Sequence, residues 1–419
     1  MADAPHRPEV LDGRLTWDGV ALAEVAERFG TPTYVYSRSV LERNAEAFLG
    51  AFGHRPHLVC FAVKANGNLA VLDLLARKGL GFDVVSGGEL ERVIAAGGDP
   101  SKVVFAGVGK TEAELELALR ARIRSINVES ADELDRIAAV AGRLGVVAPV
   151  AVRVNPDVDA QTHPHITTGL RENKFGVDAK TARELVRRAA THGNLEPVGI
   201  ACHIGSQLRE LAPFRDAVRE VLRLVDDLSG SGIVLEHLDL GGGLGIAYRD
   251  AEPAPTIAEY AAVLDAELGD RRQTVVVEPG RALAGPAGLL LTRVEYEKDT
   301  GAKRFLVVDA AMNDLLRPAL YGAHHEVAEV APREPRGTFD VAGPVCESAD
   351  TLARERTLGA EAGDLLAILD TGAYGMVMAS NYNARPRAAE VILDAGAMHL
   401  VRERETFAAM VTGERTLPR

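Results

Sequence analysis

Eight short, mostly apolar runs between residues 58 and 277 restrict what this 419-residue chain can fold into: Leu58 to Val63, Phe82 to Val85, Val103 to Phe105, Ile126 to Val128, Val150 to Val154, Val198 to Cys202, Leu238 to Leu240 and Val275 to Val277. Runs of this length, hydrophobic on both faces, mark strands buried inside a parallel sheet. The segments between them read as amphipathic helices. Leu69, Leu72, Leu75 and Ala76 share a face, as do Leu115, Ala118 and Leu119, then Leu134, Ile137 and Val140, then Leu222, Val225 and Leu228. Eight strand and helix units in this span predict an α/β fold, a parallel (β/α)8 barrel over residues 40–284, whose sites lie at the C-terminal strand ends.

The rest of the chain breaks the alternation. Leu22 to Phe29 reads as a helix and Tyr34 to Tyr36 as a strand. Leu289 to Glu297, Arg304 to Val308, Phe339 to Ala342, Leu365 to Leu369 and Ala389 to Leu393 read as strands, with Asp299-Thr300-Gly301 as a turn and Ala331 to Gly337 as an exposed loop. A second, mostly antiparallel β domain is therefore expected from both chain ends, residues 1–39 and 285–419.

Chemistry-bearing residues collect where the barrel strands end. Lys64, Ser86, Arg153, His203, Gly241-Gly242-Gly243 and Glu278 each end or directly follow a run. A lysine at such a mouth is either a solvated ammonium or an amine desolvated into a nucleophile, and alone it decides nothing. Glycines after the seventh strand let backbone N–H groups approach an anion, and Glu278-Pro279-Gly280-Arg281 sets a second glycine turn beside them. Phosphate often sits after strands seven and eight of such barrels, and Ser206 adds a hydroxyl. Glu278 needs a reason to be buried. A pyridine nitrogen facing it would be one, a salt bridge to Arg281 or Arg153 another. His203 is either a satisfied core histidine or a ring stacked on a cofactor. Together these groups suit a lysine-bound pyridoxal phosphate.

Composition excludes other classes. With 47 Lys and Arg against 60 Asp and Glu, the formal charge is −13, which argues against nucleic acid or an anionic membrane as partner. Cys60, Cys202 and Cys346 form no CxxC pair, the first ten residues lack the apolar core of a signal peptide, and no 18 apolar residues run together. A cytoplasmic protein is expected.

Taken in order, Phe61-Ala62-Val63-Lys64-Ala65-Asn66, Asp83-Val84-Val85-Ser86-Gly87-Gly88-Glu89, His203-Ile204-Gly205-Ser206-Gln207, Gly241-Gly242-Gly243-Leu244-Gly245 and Glu278-Pro279-Gly280-Arg281 resemble the motifs of the fold type III pyridoxal phosphate-dependent decarboxylases, most closely their diaminopimelate-specific branch. The likeness runs along nearly the whole chain. It implies an alanine-racemase-like barrel with a Schiff base on Lys64, Asp83 among the cofactor residues, His203 on the ring, Glu278 at the pyridine nitrogen and Arg153 near the phenolic oxygen. It implies phosphate contacts from Ser206, Gly242, Gly243, Gly280, Arg281 and Tyr374.

Three C-terminal segments extend the resemblance: Met312 to Tyr321, Gly343 to Asp350 and Gly372 to Met376. They imply that Arg281, Arg317, Tyr321, Glu347 and Tyr374 bind the substrate, meso-diaminopimelate. A distal ammonium wants a carboxylate such as Glu347, while a distal carboxylate wants the planar fork of an arginine. They also imply that Cys346 is the acid that protonates Cα, that its loop crosses a homodimer interface, and that L-lysine and carbon dioxide are the products. His163 to Gly169 and Lys174-Phe175-Gly176 resemble the family's loop after the fifth strand. The alternatives are a metal-dependent hydrolase using His163, His165 and His203, a non-catalytic pyridoxal phosphate carrier, and an ornithine or arginine decarboxylase. Pro164 and the distance of the His pair from the strand end count against the first, and no metal is expected.

Overall fold

The computed structural model describes residues 7–158, 174–249 and 251–419. The expected barrel is present. Its strands are β1 (His57–Ala62), β2 (Gly81–Val84), β3 (Val103–Phe105), β4 (Ser125–Val128), β5 (Ala148–Arg153), β6 (Leu195–Ala201), β7 (His237–Asp239) and β8 (Thr274–Val277). They pair in parallel in chain order, and β8 closes on β1 through Val275 against His57 and Val277 against Val59.

Burial explains why these runs are strands. Cys60, Val104 and Val276 meet in the barrel interior with Leu58 against them, while Val59, Phe61, Val103 and Phe105 are also fully buried. The helices after the strands start at capping residues: Ser86 before Gly87–Ala95, Thr111 before Glu112–Ala121, Ser130 before Ala131–Leu144, and Asp178 before Ala179–Thr191. Each cap satisfies orphan N–H groups of the first turn and so ends a strand-to-helix loop at a defined place. In Leu69–Arg77 the buried face is Val71, Leu72 and Leu75; Leu69 sits in the exposed first turn, so the expected face is corrected there.

This compact unit comprises Glu42–Ala247 and Pro253–Leu283. The second unit comprises the described residues of Met1–Leu41, Tyr248–Glu252 and Ala284–Arg419. Its sheet runs Thr351–Leu358, Gly337–Ala342, Arg304–Val308, Gly288–Asp299, Thr33–Ser37, Ala389–Asp394, Ala397–Arg402, with Leu365–Ile368 pairing both Gly288–Asp299 and Val327–Glu329. Most pairings are antiparallel. The strand from the N-terminal end lies between two from the C-terminal part: Tyr34 pairs with Leu290 on one side and Glu390 on the other.

Residues 331–336 are exposed between strands, as expected of that loop. Among the described residues no helix is long and apolar enough to cross a membrane, and no three His, Cys, Asp or Glu side chains gather as a metal-ligating group. His163 and His165 lie outside the described residues.

Candidate active site

The barrel's C-terminal mouth holds a ring of buried polar groups. Directly after β1, Val63–Ala65 turns as a short 3-10 segment, which sets Lys64 at the strand's end. Its Nζ lies 2.7 Å from Oδ2 of Asp83, a fully buried side chain on β2. The other oxygen of Asp83 is buried with no hydrogen-bond partner. A buried acceptor lone pair left unmet is costly, which marks this place as built for a further donor.

On the side where β8 closes onto β1 stands a pair of acids. Glu278 follows β8 and Asp239 ends β7, both almost fully buried. Asp239 accepts from the Gly241 N–H at 3.0 Å and from Asn127 Nδ2 at 3.1 Å, and its carboxyl is hydrogen-bonded to that of Glu278. Burial, then the charges of Asp239 and Asp83, push Glu278 well above the usual carboxylate range; burial raises Asp239 to about 6. Asp239 is held by two N–H donors, so it keeps the charge and Glu278 the proton. Glu278 forms no salt bridge with Arg281 or Arg153, which pair elsewhere.

The glycine run threads between the ends of β6 and β8. A Cβ on Gly242 would stand 2.1 Å from the Glu278 carbonyl oxygen, and one on Gly243, where φ is +114°, 2.4 Å from the Gly205 carbonyl. Only glycine allows that approach. Gly242 N–H donates to His203 Nδ1 at 3.2 Å, so the proton of the ring is on Nε2. Burial, then Lys64 and Arg153, drive His203 well below the usual histidine range and keep it neutral. Arg281 Nη2 donates to Ser206 Oγ at 2.9 Å, which joins two of the expected phosphate residues. Gly280, the turn between Glu278 and Arg281, is buried.

Arg153, at the end of β5, is held by Glu129 at 2.8 Å and by the Phe175 ring, 4.9 Å from its Cζ. Glu129 also accepts from the N–H groups of Gly107 and Gly176, and its own N–H donates to Glu133, which pairs with buried Lys110 at 2.8 Å. Two cations and two carboxylates thus balance inside the wall after β3 to β5.

The remaining expected residues lie in the β unit. Arg317 and Tyr321 open and close the short helix Arg317–Tyr321. Arg317 is buried against His325 and Tyr248. Cys346 and Glu347 are exposed on a loop pinned by Asp350, which accepts from Met312 N–H at 2.6 Å and Val345 N–H at 2.7 Å. Cys346 N–H donates to Asn383 Oδ1 at 3.0 Å, and Tyr382 hydroxyl donates to Glu347. Tyr374 is half-buried in a turn at φ +57°. Cys60 and Cys202 are buried, as expected of structural cysteines.

The barrel groups fit pyridoxal phosphate. An amine, a proton-bearing carboxyl for a ring nitrogen, a neutral imidazole and a glycine cradle beside Ser206 and Arg281 meet its aldehyde, ring and phosphate in turn. Sequence reasoning missed Asp239, Asn127, Glu129 and Lys110. For Asp239, Asn127 and Glu129 the signal was a polar residue inside or just after an apolar run, as Asp239 lies between Leu238 and Leu240; Lys110, well past Phe105, had none.

Comparisons with known proteins agree with this chemistry. Residues 38–285 match the pyridoxal binding domain of pyridoxal-dependent decarboxylases. A diaminopimelate decarboxylase of Pseudomonas aeruginosa is 56% identical over 409 residues, 97% of this chain and 98% of that one. The crystal structure of diaminopimelate decarboxylase from Helicobacter pylori complexed with L-lysine superposes with a TM-score of 0.91 at 42% identity, covering 93% of this chain and 98% of that one. The enzyme of M. jannaschii in co-complex with L-lysine gives 0.95 at 40% identity, covering 99% of both.

Proposed function

The chain belongs to the diaminopimelate decarboxylase family of pyridoxal-dependent decarboxylases, and we propose that it converts meso-2,6-diaminopimelate to L-lysine and carbon dioxide. One observation carries the reading at the level of the site: Lys64 and the Asp239–Glu278 pair occupy the same barrel mouth, an amine for an aldehyde and a stored proton for a ring nitrogen.

Pyridoxal phosphate, when bound, supplies an electron sink for the pair left on Cα as carbon dioxide departs. Lys64 would supply the amine that holds the aldehyde, with Asp83 keeping its Nζ in place. Glu278 would keep the ring nitrogen protonated, His203 would pack against the ring, and Arg153 would serve the phenolic oxygen. Gly242, Gly243, Gly280, Ser206, Arg281 and Tyr374 bind the phosphate. Arg281, Arg317, Tyr321, Tyr374 and Glu347 hold the substrate: arginine forks take its carboxylate and Glu347 its distal ammonium. Cys346 Sγ returns a proton to Cα.

In the same proposal residues 40–284 carry the cofactor, and 1–39 with 285–419 carry substrate and interface residues. The protein works as a homodimer, a reading supported by the exposure of Cys346 and Glu347 on a loop that is nonetheless rigidly pinned. Its partners include no nucleic acid. The cytoplasm is the proposed compartment, supported by free cysteines of which one is exposed.

The test is carbon dioxide release from meso-diaminopimelate, ornithine, arginine and lysine side by side. Turnover is expected on the first alone, with a visible imine band that borohydride removes and Lys64→Ala never shows. Comparable turnover on ornithine would refute the substrate, and an imine in Lys64→Ala would refute the site.

A further inference from the structure

Arg317 is buried, and two side chains of its own unit fix its guanidinium from different directions. Its Nη1 lies 2.7 Å from His325 Nε2, and its Cζ sits 4.7 Å from the centroid of the Tyr248 ring. These two also brace each other: the rings of Tyr248 and His325 meet edge to face, with centroids 5.2 Å apart and planes at 79°. Tyr248 belongs to the β unit, although Ala247 before it and Pro253 after it belong to the barrel unit.

The protonation of His325 follows from its partners. A guanidinium has only N–H donors, so Nε2 must accept. The ring proton is then on Nδ1, which donates to the Leu369 carbonyl at 2.8 Å, just past the strand Leu365–Ile368. Arg356 donates to the His325 carbonyl at 3.1 Å, so the residue's backbone is tied as well as its ring. His325 is fully buried, and truncating it would strand an N–H of a buried cation.

We propose that His325 and Tyr248 are positioning residues that fix the plane and the rotation of the Arg317 guanidinium, so that it takes the substrate's distal carboxylate through two parallel hydrogen bonds. This rests on the reading of Arg317 as the distal-carboxylate residue. Two-pronged recognition depends on the orientation of a planar fork more than on charge, and a fork held at one edge and one face has its orientation set before substrate arrives. The clamp therefore acts on discrimination at the far end of the substrate. It does not act on the bond that breaks.

Two ligands separate these effects. L-Lysine, the product, keeps the distal carboxylate; 1,5-diaminopentane has none. His325→Phe keeps a ring against Tyr248 but removes the acceptor. It is expected to raise KM for meso-diaminopimelate and Ki for L-lysine about 10- to 100-fold, the scale of a lost hydrogen bond to a charged group, with kcat nearly unchanged. Ki for 1,5-diaminopentane and the imine absorbance should stay at wild-type values. His325→Gln, which restores an acceptor, should recover most of the loss; Tyr248→Leu, which removes the ring beside the guanidinium, should show a loss of its own. If His325→Phe fails to fold, Tyr248→Leu carries the same comparison. An unchanged Ki for L-lysine in His325→Phe or Tyr248→Leu, or an equal rise for both ligands, overturns the clamp. Arg317→Lys distinguishes the two levels. If it leaves Ki for L-lysine unchanged, the reading of Arg317 fails; if it raises Ki while the clamp variants do not, only the clamp fails.

Discussion

Asp239 and Glu278, at the ends of neighbouring barrel strands, share a hydrogen bond between their carboxyl groups, with Asp239 held from behind by Gly241 N–H and Asn127. Two buried acids this close cannot both be charged, and the one with more N–H donors keeps the anion. Of the two, Glu278 is therefore the acid that holds its proton well above the usual carboxylate range. In the stripped protein, infrared titration should show a protonated carboxyl that titrates well above the usual carboxylate range and is lost in Glu278→Gln. Asp239→Asn should move its titration to lower pH, because the like charge beside Glu278 is gone. Glu278→Gln is expected to lower kcat about 100-fold or more, the scale of a lost electrostatic partner at a reacting centre.

Stability of the cofactor-free protein should respond to the same acids. Burial raises Glu89 to about 7 and Asp239 to about 6, both above their unfolded values. For a raised carboxyl the folded state binds the proton more tightly, so the stabilisation is complete below the unfolded pKa and is lost as pH rises through the folded one. Stability should thus fall between about pH 4 and pH 7 on their account. His203 opposes this below about pH 6.5, where the unfolded chain takes up a proton that the folded ring resists. Urea midpoints across this range should show a flatter decline in Glu89→Gln, by about 1 kcal/mol once its partial exposure is allowed for.

Glu129 ties Arg153 to the backbone of two loops, at Gly107 and Gly176. Glu129→Ala would leave Arg153 a buried cation without its carboxylate, which costs about 3–5 kcal/mol. Urea unfolding should show a loss of that size, whereas Glu112→Ala, which removes the exposed Glu112–Arg143 pair, should change stability by less than about 1 kcal/mol.

The barrel was legible because its strands are buried on both faces: a run such as Val103 to Phe105 has no polar alternation to blur its ends, and it matches the strand residue for residue. The β unit was legible only where a strand is central. Thr351–Leu358 carries Arg354, Glu355 and Arg356 in its middle, and Ala397–Arg402 is a largely exposed edge, so neither shows an apolar run. The meander Glu9–Leu11, Arg14–Trp17 and Val20–Ala21 is too short to register by periodicity, and Val327–Glu329 for the same reason. In the site, Lys64, His203 and Glu278 were visible as polar residues at strand ends. Asp239 and Glu129 were not, because a charge supporting another charge has no pattern of its own in the sequence; only the fold brings Asp239 to Glu278 and Glu129 to Arg153.

Glycine substitution separates cradle from scaffold. At Gly242 an added methyl group would stand 2.1 Å from the Glu278 carbonyl oxygen, a backbone atom that cannot rotate away, so the turn after β8 must move. That turn carries Gly280 and Arg281, and its shift also disturbs the Gly242 N–H bond to His203. Gly242→Ala is therefore expected to cost about 1–3 kcal/mol of stability through overpacking and to weaken cofactor binding, seen as a reduced imine band at limiting pyridoxal phosphate. Gly142, within the helix Ala131–Leu144, meets nothing nearer than Asn194 at 3.5 Å. Gly142→Ala should instead stabilise the protein by about 0.5–1 kcal/mol with the imine band unchanged, because a helix interior favours alanine. Thermal melts and cofactor titrations of both variants would show whether the cradle is confined to the glycines that approach the β8 turn.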